Sequence, residues 1–321
     1  MNDLTTTQQG QLQGTTGQQA ISAGTRAYVQ GSTADSTRKA YRADVGIFKG
    51  WCDERALAAL PATPESIADF LADQAQTGIA PSTLNRRLAA IRYMHEAANL
   101  PSPTLNKLVK ATLKGIRRTQ GAKPNQKQAA TIETIYSLLA RIDSSTLAGK
   151  RDKALLLLGF AGAFRRSELV ALQVSDIQQA KEGLRVTIRQ SKTDQEGQGQ
   201  TIAIPNGRLR VVSVLNDYLK AAGITEGYIF RPVTKADKTR AQGLTDKSVA
   251  NIVKKYATLA GFESSDFAGH SLRSGFITSA AEAGANLFKI MDVSRHKNVQ
   301  TVRGYVRAAE AFKDHAGSSF L

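Results

Sequence analysis

A short basic stretch, TQGAKPNQKQA at residues 119–129, divides the chain and limits what it can fold into. Gly121 and Pro124 interrupt regular structure, no apolar periodicity survives across it, and its only charges are basic. Before it, apolar residues recur at helical spacing. After it, helical segments flank one stretch of strict apolar alternation. A chain of 321 residues cut this way accommodates two domains of ordinary size. The pattern predicts a mainly α protein. An all-helical domain covers 32–118, 119–129 is the linker, and 130–321 forms a mixed α+β domain, mostly helical with a small antiparallel sheet.

Residues 1–31 are rich in Gln, Thr and Gly with almost no large apolar side chains. Such a segment cannot bury enough surface to offset its ordering entropy, and a disordered polar tail is expected. From Ser36, Tyr41, Val45, Phe48 and Trp51/Cys52 recur every three or four residues, the stripe of an amphipathic helix. Thr63-Pro64 has the form of an N-cap followed by proline in the first turn, with Ile67, Phe70 and Leu71 facing inward. Ser82 is expected to cap a third helix, with Leu84, Leu88, Ile91 and Met94/His95 on its apolar face and Arg86, Arg87 and Arg92 off it. His95 on that seam reads as a packing residue. A fourth helix carries Lys107, Lys110, Lys114, Arg117 and Arg118; its lysines lie three and four apart, with no acidic residue among them. An all-basic stripe of this kind fits phosphate contact.

Beyond the linker, ETIYSLLARI reads as a helix. Ala154 to Phe164 reads as a buried one, far short of a bilayer span. The apolar run ends at GAFRRSEL, bringing Arg165, Arg166 and Glu168 directly behind it. LRVTIRQ and QTIAIP alternate about SKTDQEGQGQ, an antiparallel hairpin with Lys192 near the end of its first strand. A helix over RLRVVSVLNDYLKAAG and a short extended piece, YIFRPV, come next. Another helix, capped by Thr245, has Lys247, Asn251, Lys254 and Lys255 on a basic, polar flank. The segment after Tyr305 is expected to form a short helix.

Chemistry-bearing residues crowd into Gly269–Arg307. His270 and Arg273 are spaced to share a helix face, His296 follows, and Tyr305 lies nine residues later between Arg303 and Arg307. Imidazole beside guanidinium suits an oxyanion, phosphate above all.

Net charge gives the partner class. Lys and Arg outnumber Asp and Glu by 43 to 27, for +16 overall, which favours nucleic acid. No apolar run is long enough to span a bilayer, no lipidation motif is present, and the polar N-terminus lacks the core of a signal peptide. One cysteine, Cys52, excludes an internal disulfide and any cysteine-based zinc site. The four histidines are too scattered to suggest a metal centre, so no metal or cofactor is expected. A reducing cytoplasmic, nucleoid-associated setting is the expectation.

The joint spacing of His270, Arg273, His296 and Tyr305 resembles the C-terminal signature of the tyrosine recombinase (phage integrase) family. GAFRRSEL resembles that family's Gly-Leu-Arg-x-Ser-Glu-Leu box, and residues 32–118 are similar to the core-binding domain of Cre-like recombinases. The resemblance implies a catalytic set of Arg165, Lys192, His270, Arg273, His296 and Tyr305, with Glu168 behind Arg165 and Lys192 entering from the β-hairpin. It makes Tyr305 the nucleophile that forms a 3′-phosphotyrosyl bond and leaves a 5′-hydroxyl. Arg165 and Arg273 would clamp the phosphate, His270 act as base and Lys192 as general acid. By position, Lys247 and Asn251 would contact bases in the major groove. A homo-tetramer on two double-stranded DNA sites, exchanging strands through a Holliday junction, is implied. Two departures stand out: Arg295 where the family most often has glycine, and Arg166 in place of an apolar residue. The alternatives are a type IB topoisomerase-like or hairpin-forming strand transferase, and a non-catalytic sequence-specific DNA-binding protein.

Overall fold

The computed structural model describes residues 22–121, 127–189 and 199–309. The chain separates into two compact units, Met1–Asn125 and Gln126–Leu321.

The described part of the first unit is helical: α1 (Ala23–Gly31), α2 (Asp35–Asp53), α3 (Pro64–Gln76), α4 (Pro81–Ala97) and α5 (Lys107–Gln120), with a 3-10 turn at Pro103–Leu105. The apolar stripes converge as their periodicity requires. Phe48 and Trp51 of α2 meet Phe70 of α3 edge-on, at centroid distances of 5.0 and 5.5 Å. Leu84, Ile91, Val109 and Leu113 complete the core. Thr63 caps α3 by accepting from the Ser66 N–H, and Ser66 returns the bond to the Thr63 N–H. His95 is fully buried and structural: its Nε2 accepts from the Ala62 N–H at 3.0 Å, and its Nδ1 lies 2.9 Å from the Ile91 carbonyl oxygen.

Two details differ from the sequence reading. Helix α4 begins at Pro81 and its N-cap is Ala80, which makes no side-chain cap bond; Ser82 lies inside the first turn. Proline at the first helical position needs no acceptor for an N–H, so the helix starts without a polar cap. The expected tail of 1–31 ends in helix α1, with Tyr28 exposed, while residues 1–21 lie outside the described residues.

The second unit contains α6 (Ile132–Leu139), α7 (Leu147–Ala161), α8 (Arg166–Ala171), β1 (Ile177–Ala180), β2 (Gly183–Ile188), β3 (Gln200–Pro205), α9 (Val211–Ala222), α10 (Asp246–Leu259), α11 (Ser271–Glu282), α12 (Leu287–Ser294) and α13 (Val299–Ala309). The three strands form an antiparallel sheet in sequence order. Leu184 lies opposite Ile204, and Val186 opposite Ile202. Strands β2 and β3 are the expected hairpin. The additional edge strand β1 lacks apolar alternation and is defined by its register with β2.

From Ala154 to its end helix α7 is apolar on every side and runs through the main core, where Leu155, Leu156, Leu157 and Leu158 are buried with Phe164, Leu215, Phe230 and Val253. A smaller cluster of Ile277, Ala281, Ile290 and Val302 ties α11, α12 and α13 together. Helix α5 runs to Gln120, and the chain from Lys127 onward already belongs to the second unit. Lys127 Nζ donates to the Ser265 carbonyl at 2.6 Å, the Gln128 N–H to Asp266 at 2.7 Å, and the Ala130 N–H to Ser271 at 2.9 Å. Gly275 of α11 permits that approach, because a Cβ there would fall 1.8 Å from the Ala130 carbonyl oxygen.

Candidate active site

The site grows from the turn that ends α7. Gly162 closes the helix, and Ala163 reverses the chain in the left-handed region at φ 45°. Arg165 then serves as N-cap of α8. Glu168, three residues on, accepts from the Arg165 N–H at 2.9 Å with one oxygen and from Arg165 Nη1 at 2.6 Å with the other. The carboxylate thus fixes both the backbone and the guanidinium of Arg165.

Helix α11 brings the second guanidinium. Arg273 is 0% exposed, and its Nη1 donates to the Ala163 carbonyl at 2.8 Å. Its Nη2 lies 3.3 Å from both ring nitrogens of His296. His270 is the residue immediately before α11 and serves as its N-cap. The stem of Arg166 crosses Gly269, where a Cβ would fall 2.0 Å from Arg166 Cδ, so only glycine leaves that path open beside His270. Arg166 also pairs with Asp246 at 3.7 Å.

His296 follows the C-cap of α12. Ser294 Oγ, fully buried, is 2.9 Å from its Nδ1. A hydroxyl donating there leaves the imidazole proton on Nε2, where it can face a ligand. Tyr305, on α13, is half-buried and packs against the small apolar cluster.

The charges explain the protonation states. Burial, then Arg273 and Arg165, brings His296 down to about 4, so it is neutral at physiological pH. Partial loss of solvation, then Arg273, Arg165 and Arg166, holds His270 below the usual imidazole range although its residue surface is exposed. Burial, with Arg165 and Arg295 adding to it, lowers Arg273 to about 9, still charged at neutral pH. Burial alone would raise Glu168; Arg295, the Arg165 N–H and the Arg165 guanidinium outweigh it and leave the carboxyl below its ordinary value. Burial raises the Tyr305 phenol, and Arg273 offsets part of that rise.

Five of the predicted catalytic residues, Arg165, His270, Arg273, His296 and Tyr305, therefore belong to one electrostatically connected neighbourhood, with Glu168 behind Arg165. Lys192 lies outside the described residues. Sequence reasoning missed Ser294 as a partner of His296 and treated Arg295 only as a departure. A hydroxyl two residues before an imidazole was the available signal for Ser294. Among the described residues no group of three His, Cys, Asp or Glu could hold a metal ion, and no helix is long and apolar enough to cross a membrane.

The predicted DNA-contact residues divide. Lys107, Lys110, Lys114, Arg117 and Arg118 are exposed on α5, with Arg117 donating to Asn85 at 2.7 Å. Lys247 and Asn251 are exposed on α10. Arg86 is exposed but donates to Asp44 at 2.7 and 3.1 Å, and Arg92 pairs with Glu96 at 2.6 Å. Arg87 is a correction: it is 7% exposed, donates to Gln74 and lies 3.8 Å from Asp44. Asp44 and Gln74 draw it into the helical unit, away from solvent.

The second unit thus gathers two arginines, two histidines and a tyrosine, groups suited to holding a phosphate beside a nucleophilic hydroxyl. The model of the "Phage integrase family" matches residues 129–311, and that of "Phage integrase, N-terminal SAM-like domain" matches 27–99. The chain belongs to the phage integrase family and is a tyrosine site-specific recombinase. It is 43% identical over 291 residues to an integrase/recombinase xerD homolog of Selenomonas ruminantium, covering 89% of this chain and 85% of that protein. It is 26% identical to tyrosine recombinase XerD of Pseudomonas putida, covering 88% and 90%. Among solved structures, a post-cleavage complex of the XerH site-specific recombinase with palindromic difH substrate shares the fold at TM-score 0.61 and 17% identity, over 78% of this chain and 70% of that one. A lambda integrase dimer bound to a COC′ core site does so at 0.54 and 18%, over 88% and 92%.

Proposed function

We propose that the protein recombines DNA between two specific sites by Tyr305-mediated strand cleavage and rejoining. The observation that carries this reading is the direct link between Arg273 and both the Arg165 turn and His296, with Tyr305 in its electrostatic field. Tyr305 Oη attacks the scissile phosphorus and the 5′-oxygen leaves. A 3′-phosphotyrosyl ester forms, preserving a bond energy that later rejoins strands. Arg165 and Arg273 receive charge developing on the non-bridging oxygens, and the Nε2–H of His296 adds a neutral donor. His270, unprotonated at neutral pH, takes the phenol proton. Lys192 gives a proton to the departing 5′-oxygen.

In this reading α5 lays its basic face against the phosphate backbone, and Lys247 and Asn251 of α10 reach base edges. Four protomers act on two double-stranded sites, exchanging strands through a Holliday junction at the nucleoid. The test is covalent trapping on duplexes carrying a randomised core with a nick beside it, in the presence of EDTA. Wild type should give a 3′-linked adduct that survives denaturation, and Tyr305→Phe should bind the same duplex without one. An adduct of undiminished yield from Tyr305→Phe would move the nucleophile elsewhere.

A further inference from the structure

Arg295 is 5% exposed and sits in the left-handed region at φ 57°, closing α12. A C-cap of this shape is ordinarily filled by glycine or asparagine, without a buried charge. Arg295 therefore carries two costs, backbone strain and desolvation, which helix capping alone does not require. Its contacts show where the compensation lies. Nη1 donates to the Gly162 carbonyl at 2.9 Å and to Val293 at 2.6 Å; Nη2 donates to the Ala163 carbonyl at 2.8 Å and to Glu168 Oε2 at 2.9 Å. Its own carbonyl accepts from Arg165 Nη2 at 3.4 Å. Apart from the bond to Val293, these contacts all go to the turn and carboxylate that present Arg165, and the guanidinium lies 5.2 Å from the centroid of the buried Phe164 ring.

Glu168 must hold Arg165 without cancelling it. One carboxylate paired with one guanidinium would offer a phosphate little net charge. With Arg295 sharing that carboxylate, and Arg273 beside it, three guanidinium groups surround a single negative charge. We propose that Arg295 is a positioning residue for strand cleavage: it neutralises Glu168 and pins the Gly162–Arg165 turn, so that Arg165 keeps both its charge and its aim for the scissile phosphate. The proposal rests on the recombinase reading above and deepens it. The charged groups acting on Glu168 are Arg165 at the start of α8, bonded through its N–H and its guanidinium, and Arg295 at the end of α12, with Arg273 on α11 within electrostatic reach.

The test uses the full chain and a duplex selected by wild-type covalent capture from the randomised pool. Single-turnover cleavage at saturating protein is followed across a pH series for Arg295→Gln, Arg295→Lys and Arg295→Gln combined with Glu168→Gln. Arg295→Gln should bind the duplex with unchanged Kd yet cleave about 10–100-fold more slowly, the range for a group that orients a reacting one from behind. Its rate should fall at higher pH than wild type on the acid side, because Glu168 loses the charge and the hydrogen bond of Arg295 and protonates sooner. Arg295→Lys should restore most of the rate, and the double variant should be faster than Arg295→Gln alone. If Arg295→Gln fails to fold, as judged by thermal melting, the lysine and double variants decide: wild-type pH dependence in the double variant supports the role through Glu168, and a shifted acid limb there overturns it. Equal rates and profiles for wild type and Arg295→Gln overturn the proposal alone. Failure of wild type to form any adduct sinks the recombinase reading and this proposal with it.

Discussion

Arg273 and Arg295 donate to the same atom, the carbonyl oxygen of Ala163, each at 2.8 Å. They arrive from different elements, α11 and the end of α12, at a residue already held in the left-handed region. A carbonyl with two lone pairs can accept both, and the pairing locks a strained turn between two buried cations. The Nε atoms of both side chains lie buried without a partner, so their terminal nitrogens make all the hydrogen bonds seen for them. The site's positive charge is thereby built into the folded second unit and stands ready for a phosphate.

If His270 takes the phenol proton as proposed, it should set the acid side of the wild-type cleavage profile. Its folded value lies below the ordinary imidazole value of about 6.5. As a base it is competent while neutral, so cleavage should stay level from neutral pH downward and decline as pH falls through that lowered value. Single-turnover rates should show this limb. Replacing His270 with glutamine should flatten it and slow cleavage by about 10²–10⁴-fold.

Ser294 should matter through the tautomer of His296. Ser294→Ala removes the hydroxyl 2.9 Å from Nδ1 that, by donating there, would hold the imidazole proton on Nε2. Loss of one hydrogen bond worth about 0.5–1.5 kcal/mol predicts a severalfold slower cleavage with unchanged DNA affinity. Nitrogen-15 NMR of the imidazole should report more of the Nδ1-protonated form; an unaltered spectrum would leave Ser294 as packing only.

Glu168 links acid stability to the site. Its folded pKa is depressed, so its contribution is fully present above the unfolded carboxyl value of about 4.3 and is lost as pH falls through the lower folded value. Glu168→Gln should flatten this segment of the stability curve. Leaving Arg295 buried without its anion should also cost about 3–5 kcal/mol near neutral pH. Urea unfolding at a series of pH values measures both effects.

Gly275→Ala should damage fold and activity together. The added methyl would fall 1.8 Å from the Ala130 carbonyl oxygen, and backbone must move to admit it. Overpacking of this kind costs about 1–3 kcal/mol. Since α11 carries Arg273, cleavage should fall as well, whereas alanine at Gly46, whose Cβ would meet no atom within 4 Å, serves as the matched control.

The helices were readable because apolar residues recur three or four apart within each, as Phe48, Trp51 and Cys52 do in α2, Ile67, Phe70 and Leu71 in α3, and Leu84, Leu88 and Ile91 in α4, and Thr63 and Thr245 supply side-chain caps. Ser82 misled because Pro81 preceded it, and a proline start needs no polar cap. Strand β1 was hidden since IQQA has no alternation and depends on its neighbour for register. The core of the site was legible through spacing: His270, Arg273, His296 and Tyr305 are carried on successive elements joined by short turns. Arg87 could not be told from Arg86 in sequence, because burial was decided by Asp44 and Gln74, distant along the chain. The contribution of Arg295 was equally opaque, since all but one of its side-chain partners lie well over a hundred residues upstream.

The bonds from Lys127, Gln128 and Ala130 into residues 265–271, with Gly275 making room for the Ala130 carbonyl, set where this protein can be cut. A fragment starting at Thr131 would strip acceptors of their donors along the approach to His270 and leave an empty notch against the helix that carries Arg273. A fragment starting at or before Lys127 keeps them. The few residues leaving the first unit's side of the chain are thus an integral staple of the catalytic half, and the smallest excisable piece with an intact site is longer than its secondary structure alone would indicate.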